Sequence, residues 1–264
     1  MVIGFVGLGN MAKAMISGIL GKGLYAPEEI IGSARTKETC DKAKKEFDIS
    51  TTTDNIEVAA NADILVLAIK PQMFKGVVPT IAGMIKKDAI VVSIAAGKTI
   101  NELEEMLGKD KKIVRLMPNT PAMVNAGITA VTPNSNISEE DLAKVIKICE
   151  SFGLAERIPE SMMDAFVAVA GSSPAYVFMY MEALADAAVQ AGIPRAQAYK
   201  FAAASTMGSA KLMLETGKHP GVLKDMVCSP AGTTIEAVHV LEDAGFRAAV
   251  MDAVEACVEK SKRL

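Results

Sequence analysis

Met1-Val-Ile-Gly-Phe-Val6 runs directly into Gly7-Leu-Gly9-Asn10-Met11-Ala12, and Met15, Ile16 and Ile19 follow. Val2 to Val6 is an apolar run of the length of a buried parallel strand, while Met11, Met15, Ile16 and Ile19 recur at helical spacing. Between them stands a G-x-G-x-x-A turn. Gly7 permits the sharp exit from the strand, Gly9 lets backbone approach a pyrophosphate, and Ala12 lets the helix pack close to the strand. A helix beginning there, with Asn10 and Met11 in its first turn, offers free N–H groups and the positive end of its dipole to phosphates. The strand before and the helix after supply the context that a lone glycine pattern lacks. The stretch therefore reads as the dinucleotide-binding start of a Rossmann-type α/β domain.

Working outward, Glu29 to Ser33 reads as the second strand, and it ends in Gly32-Ser33-Ala34-Arg35. NAD-selective folds place Asp or Glu at this point to accept from the ribose 2′-hydroxyl. A hydroxyl and a guanidinium without a carboxylate suit a 2′-phosphate instead, so NADP(H) is expected to be preferred, with NAD(H) as the second choice. Three further apolar strands, Asp63–Ile69, Ala89–Ile94 and Lys112–Leu116, run into Lys70-Pro71-Gln72, Ala95-Ala96-Gly97 and Met117-Pro118-Asn119-Thr120-Pro121-Ala122. Proline or small residues recurring at the same topological position describe a crevice lined by backbone, on the sheet edge where ligands bind. Thr36–Phe47 and Ser138–Ser151 read as helices, the latter with a capping start at Ser138. Gly127–Thr132 and Gly153–Ile158 read as two more strands.

From about Glu160 strand signals cease. Met162–Ala170, Ala175–Ala191, Arg195–Leu214, Thr234–Glu242 and Arg247–Lys262 all read as helices. The expected architecture is α/β, a Rossmann-type dinucleotide-binding domain over residues 1–160 followed by an all-α domain over 161–264. Helices apolar around much of their circumference cannot hide that surface within about 100 residues, so the second domain is expected to dimerise.

Composition narrows the function. The net charge is −3 and the pI about 5.6, which gives no electrostatic footprint for nucleic acid. Half of the residues are hydrophobic and the mean hydropathy is +0.28. The longest apolar runs singled out, Ile64–Ile69 and Ala89–Gly97, are strand-sized against the ~18 residues of a membrane span, so no membrane association is expected. Met1 stands directly before the first strand, which leaves no room for a leader, and a cytoplasmic location is expected. Cys40, Cys149, Cys228 and Cys257 are scattered and only His219 and His239 could join them, so no metal site is expected.

A nicotinamide site needs a substrate pocket, and Lys224-Asp-Met-Val-Cys228-Ser229-Pro230-Ala231-Gly232-Thr233-Thr234 offers one. Ser followed by Pro marks a helix start, with Ser229 as N-cap. Gly232, Thr233 and Thr234 then present backbone N–H groups and two hydroxyls, a receptor for a carboxylate as much as an ordinary capped helix.

Here the chain resembles the pyrroline-5-carboxylate reductases, over essentially its whole length. The resemblance is carried by Phe5-Val-Gly-Leu-Gly-Asn-Met-Ala12, Leu67-Ala-Ile-Lys-Pro-Gln72, Met117-Pro-Asn-Thr-Pro-Ala122, Gly171-Ser-Ser-Pro-Ala-Tyr-Val177 with Glu182-Ala-Leu-Ala-Asp186, and above all Ser229-Pro-Ala-Gly-Thr-Thr234. It implies NADPH-dependent reduction of 1-pyrroline-5-carboxylate to L-proline, the last step of proline biosynthesis. The cofactor would lie across Gly7–Ala12, its adenosine end near Ser33, Arg35 and Asn55, its nicotinamide end near Ala68, Ile69, Lys70, Pro71 and Ala95, Ala96, Gly97. The substrate carboxylate would be held by the Ser229–Thr234 loop, with Thr234 as the catalytic hydroxyl and Glu160 as a further pocket contact. The resemblance also implies a homodimer, assembling further as a decamer of five dimers. The chain departs from the family at Ala231, where glycine is common, at Ser173, and at Met226, where some relatives carry Asn.

Reducing a ketone leaves an alkoxide that needs a proton donor, commonly Lys or His. No Lys, Arg or His lies between Arg157 and Arg195. A protonated imine already carries its charge and needs only hydride at carbon, so positioning does most of the catalysis. Two other readings are a hydroxyacid or other imine reductase of the same architecture and an idle nucleotide-binding sensor. The missing base speaks against the hydroxyacid reductase, and the intact Ser229–Thr234 loop against the sensor.

Overall fold

The computed structural model describes residues 1–263. They form two compact units, one of Met1–Gly171 together with the residues from Val258 onward, the other of Ser172–Cys257.

The first unit is built on β1 (Ile3–Val6), β2 (Ile30–Ser33), β3 (Ser50–Thr52), β4 (Ile64–Leu67), β5 (Ile90–Ser93), β6 (Lys112–Pro118), β7 (Gly127–Pro133) and β8 (Gly153–Arg157). They make one sheet in the order β3-β2-β1-β4-β5-β6-β7-β8. All pairs are parallel except β6 with β7. β1, β4 and β5 are buried at every position, which is why each reads as an unbroken apolar run. Strand order reverses between β1 and β4. In an open α/β sheet that switch point opens the ligand crevice.

Three helices cover each face. On one, α1 (Asn10–Gly21), α2 (Lys37–Phe47) and α6 (Glu139–Cys149) supply Met15, Ile16, Ala43, Leu142 and Val145 to a core with Ile3, Phe5 and Val114. On the other, α3 (Asn55–Asn61), α4 (Phe74–Ile81) and α5 (Ile100–Leu107) supply Val58, Phe74, Val78 and Leu103 against Val6, Leu65 and Val91. The sequence reading leaves β3, α3, α4 and α5 unassigned, although α4 and α5 carry apolar residues at helical spacing. β3 is three polar residues, α3 is only seven residues long, and α4 carries Pro79 within it. α7 (Met163–Phe166) is a single turn that passes into a π-turn at Val167–Gly171, where an ordinary helix over Met162–Ala170 is expected.

The second unit comprises α8 (Ser173–Gln190), α9 (Arg195–Thr216), α10 (Pro220–Val227), α11 (Thr233–Asp243) and most of α12 (Phe246–Ser261). Of these, only Ala185 on α8 and Ala198 and Ala202 on α9 are buried. The helical stretch Glu160–Gln190 is 31 residues long and, by length and composition, apolar enough to cross a membrane. Counting only unbroken apolar runs misses it, because Gly171-Ser-Ser-Pro174 interrupts an otherwise uncharged span from Ala165 to Met181.

Candidate active site

Gly7 leaves β1 with φ +103°, a left-handed geometry, and a Cβ there would stand 2.6 Å from the Ala68 carbonyl oxygen at the end of β4. Only glycine lets the two strand ends approach so closely. Gly9 is the opposite case: a Cβ would meet nothing within 4 Å. The space it faces is open. Gly9 caps α1 without a side-chain bond, and no acidic residue stands in the first turn. The first-turn N–H groups, of Asn10, Met11 and Ala12, therefore lack intrahelical acceptors. Ala12 is buried against the sheet, as close packing there requires. An uncapped, acid-free helix start facing open space fits a dinucleotide's pyrophosphate.

Further along the crevice, Ala68 and Ile69 are half-buried, Lys70 is exposed, and Pro71 opens a 3-10 turn. Pro71, Gln72 and Lys75 face Ala96, Gly97 and Lys98 across a cleft of about 390 Å³. Ala95 is buried behind it. These are the strand ends near which the family resemblance implies the nicotinamide half.

At the end of β2, Arg35 is exposed and makes no ion pair among the described residues. Ser33 is fully buried, and its hydroxyl donates to Asn55 Oδ1 at 2.7 Å. Ser33 thus reaches a ligand only through Asn55, whose amide it orients. Burial under the sheet end is invisible in the Gly32-Ser33-Ala34 pattern.

Glu160 lines a second cavity, of about 520 Å³, with Gly97, Thr99, Arg115, Asp164 and Lys262. Its Oε1 accepts from the Ile100 N–H at 2.8 Å and from Arg115 Nη1 at 2.7 Å. Sequence reasoning did not single out Arg115, although a guanidinium inside the apolar Lys112–Leu116 strand is itself a signal. Asn119, within the Met117–Ala122 motif, is also buried. It donates to the Ala170 carbonyl in the π-turn at 2.9 Å and accepts from Ile128 N–H at 2.9 Å, so it ties the end of β6 to that turn.

In the second unit, the helix start lies three residues later than the Ser-Pro signature indicates. Ser229-Pro230-Ala231-Gly232 is a β-turn, closed by Gly232 N–H to the Ser229 carbonyl at 3.0 Å. Ala231 sits at φ +54°. Proline followed by a positive φ is the pattern of a type II turn, which favours glycine at the position that Ala231 fills. Gly232, not Ser229, is the N-cap of α11, with no side-chain bond. A Cβ on Gly232 would fall 2.3 Å from Ser229 Oγ, so a side chain there would require that hydroxyl to turn away. Thr233 and Thr234 then occupy the first turn, Thr233 exposed and Thr234 half-buried, with the N–H groups of that turn uncapped. Met226 stands exposed on α10.

Comparisons with known proteins agree with the fold, a Rossmann-type sheet followed by a helical segment. Residues 160–264 match the family model for pyrroline-5-carboxylate reductase dimerisation, and residues 2–97 match that for coenzyme F420-dependent NADP oxidoreductases. A pyrroline-5-carboxylate reductase of Escherichia coli K12 is 54% identical over 262 residues, 99% of this chain and 97% of that protein. Among solved structures, the Coxiella burnetii pyrroline-5-carboxylate reductase superposes with a TM-score of 0.93 at 35% identity, covering 99% of this chain and 97% of that one. The Plasmodium falciparum pyrroline carboxylate reductase, solved with NADP bound, gives 0.89 at 33% identity, covering 100% and 97%. With its Rossmann-type first unit, its helical dimerisation segment and its relatives matched over their full length, the chain belongs to the pyrroline-5-carboxylate reductase family.

Proposed function

We infer that the chain reduces 1-pyrroline-5-carboxylate to L-proline, with NADPH as the preferred hydride donor and NADH as a second one. The observation that carries this reading is the 54% identity to a named reductase across 99% of the chain. NADPH, when bound, supplies a hydride to the ring imine carbon.

The chain's own residues bind and orient. Gly9, Asn10, Met11 and Ala12 cradle the pyrophosphate with uncapped N–H groups, while Gly7, whose own N–H donates to the Ser33 carbonyl at 3.0 Å, makes the turn that brings them there. Arg35, with Asn55 held by Ser33, takes the 2′-phosphate. Ala68, Ile69, Lys70 and Pro71, with Ala95, Ala96 and Gly97, border the nicotinamide. Ser229, Gly232, Thr233 and Thr234 hold the substrate carboxylate through the first turn of α11, a use of helix N-termini that backbone N–H groups and the helix dipole both favour. Thr234 Oγ1 lies in that turn and, directly or through a water, supplies the proton to the ring nitrogen where the imine enters unprotonated. Glu160 borders the pocket.

The helical domain, taken from residue 161 onward, pairs with a second copy, and five such dimers form a decamer. The dimerisation family match supports the pairing. We place the enzyme in the cytoplasm on its four free cysteines, without nucleic-acid partners on its net charge of −3, and without a membrane partner because the apolar stretch Glu160–Gln190 lies within the segment that matches the dimerisation family.

The test is optical: oxidation of NADPH and of NADH with pyrroline-5-carboxylate, by the unmodified chain and by Thr234→Ala. The unmodified chain should turn over faster with NADPH. Thr234→Ala should lower kcat by about 10²-fold, the scale of a lost proton donor, with NADPH affinity unchanged. Demonstrable NADPH binding without turnover by the unmodified chain would refute the assigned substrate.

A further inference from the structure

We propose that Glu160 is a positioning residue for the reduction, acting through Arg115 and Ile100 on the loop of residues 94–99 rather than by touching the substrate. The proposal rests on the reading of that loop as the nicotinamide end of the cofactor crevice.

The loop joins β5 to α5. Its first end is held by the sheet, through Ile94 N–H to the Leu67 carbonyl at 3.3 Å and Ala95 N–H to Ser93 Oγ at 3.4 Å. In the middle, Gly97 turns the chain at φ +72°. The far end is the start of α5. There Thr99 and Glu102 form a reciprocal cap: Thr99 N–H donates to Glu102 Oε2 at 2.9 Å, and Glu102 N–H to Thr99 Oγ1 at 3.2 Å. That pair leaves the Ile100 N–H, a first-turn donor without an intrahelical partner. Glu160, sixty residues on, takes it at 2.8 Å.

The same oxygen receives Arg115, which stands opposite Ser93 in the β5–β6 register. Arg115's side chain is only 8% exposed and Glu160's 33%. A buried guanidinium requires a fixed counter-charge, so Glu160 is held in place from the sheet side. One carboxylate oxygen thus fastens the start of α5 to the centre of β6. Gly97 lines both the 390 Å³ cleft and the 520 Å³ cavity that holds Glu160, so the loop forms a wall common to the two. Ala96, Gly97 and Lys98, whose backbone borders the cleft, therefore owe their position to a group on its far side.

Three measurements on the full-length oligomeric enzyme test this: the NADPH dissociation constant without substrate, kcat with KM for pyrroline-5-carboxylate, and the thermal midpoint. Glu160→Ala removes both hydrogen bonds. It should weaken NADPH by about thirtyfold and lower kcat, with KM for the imine acid within about twofold of the parent. Glu160→Gln keeps a neutral acceptor for Ile100 N–H and should recover about half of the lost affinity on a logarithmic scale. A raised KM for the imine acid with NADPH affinity unchanged would overturn the proposal and make Glu160 a substrate contact. So would a lowered thermal midpoint with both constants unchanged, which is a purely structural role. Where Glu160→Ala does not fold, Glu160→Gln decides by the same constants. Because NADPH binding is read without substrate, absence of turnover in the unmodified enzyme would refute the assigned reaction, while NADPH weakened by Glu160→Ala would still support the tether.

Discussion

The two units bury their apolar residues in different ways. In the first, Phe5, Phe74 and Phe152 are fully buried within their own chain, between a sheet and the helices on its faces. In the second, Val177, Phe178, Met179 and Tyr180 occupy consecutive positions around a full turn of α8, and every one is at least 38% exposed. A helix apolar on all sides is stable in water only when other elements surround it. The residues that α8 and α9 do bury are alanines, Ala185, Ala198 and Ala202. The first unit carries its core within itself. The second carries half of an interface, as its match to a dimerisation family requires.

Four substitutions sharpen or break this contrast. The largest effect is expected from Phe74→Ala, which empties a buried site in the first unit and should cost about 3–5 kcal/mol. Its fall in thermal midpoint should be the same at every protein concentration. Phe178→Asp, by contrast, should weaken self-association by ~100-fold in sedimentation and lower the midpoint chiefly at low concentration. If Phe178→Asp proved concentration-independent, or Phe74→Ala concentration-dependent, the contrast would fail.

An intermediate effect belongs to Asp141 on α6. A hydrogen bond from Lys112 on β6 is the largest influence on its carboxyl, and Lys144 adds another, so its pKa falls to about 2. A carboxylate held below its unfolded value stabilises the fold above about pH 4, and that stabilisation is lost as the pH falls towards 2. The contribution is about 2 kcal/mol. Asp141→Asn should therefore flatten the acid side of the stability profile and leave self-association at neutral pH unchanged. A change in oligomer size would mean that the first unit also shapes the interface.

The smallest effect is expected from Ala231→Gly. It relieves a left-handed alanine, a strain of about 1 kcal/mol, but gives the unfolded chain freedom worth about 0.4–1 kcal/mol. The midpoint should move by less than about 2 °C. A rise of many degrees would show that the carboxylate loop stores more strain than its backbone angle implies.

The sequence made some of this legible. β1, the Gly7–Ala12 turn and α1 are a local pattern, since strand, turn and helix each follow from residues within a few positions. Lys70-Pro71 and Ala95-Ala96-Gly97 were visible as strand ends for the same reason. α5 carries a Thr99-x-x-Glu102 capping signature and sets Ile100, Leu103 and Leu107 at helical spacing, so this helix was legible although it spans only eight residues. At the other helix start, Ser229-Pro230 imitates an N-cap. Only the turn closed by Gly232 N–H, and the close approach of Gly232 to Ser229 Oγ, move the cap to Gly232. The burial of Ser33 and the pairing of Glu160 with Arg115 depend on residues 22 and 45 positions away, which no local pattern encodes.

Ser261, near the end of α12, donates to Asp164 Oδ1 at 2.6 Å, and the residues from Val258 onward belong to the first unit. The helical segment of residues 172–257 is therefore, in chain topology, an insertion with both of its ends rooted in the same body. Synthesis on the ribosome is vectorial, and domains fold as they emerge, N-terminal first. The nucleotide-binding body receives its closing piece last, after the whole helical segment has been made. That body is thus completed only once α8 and α9, with their exposed apolar faces, have already been made and are free to meet another copy.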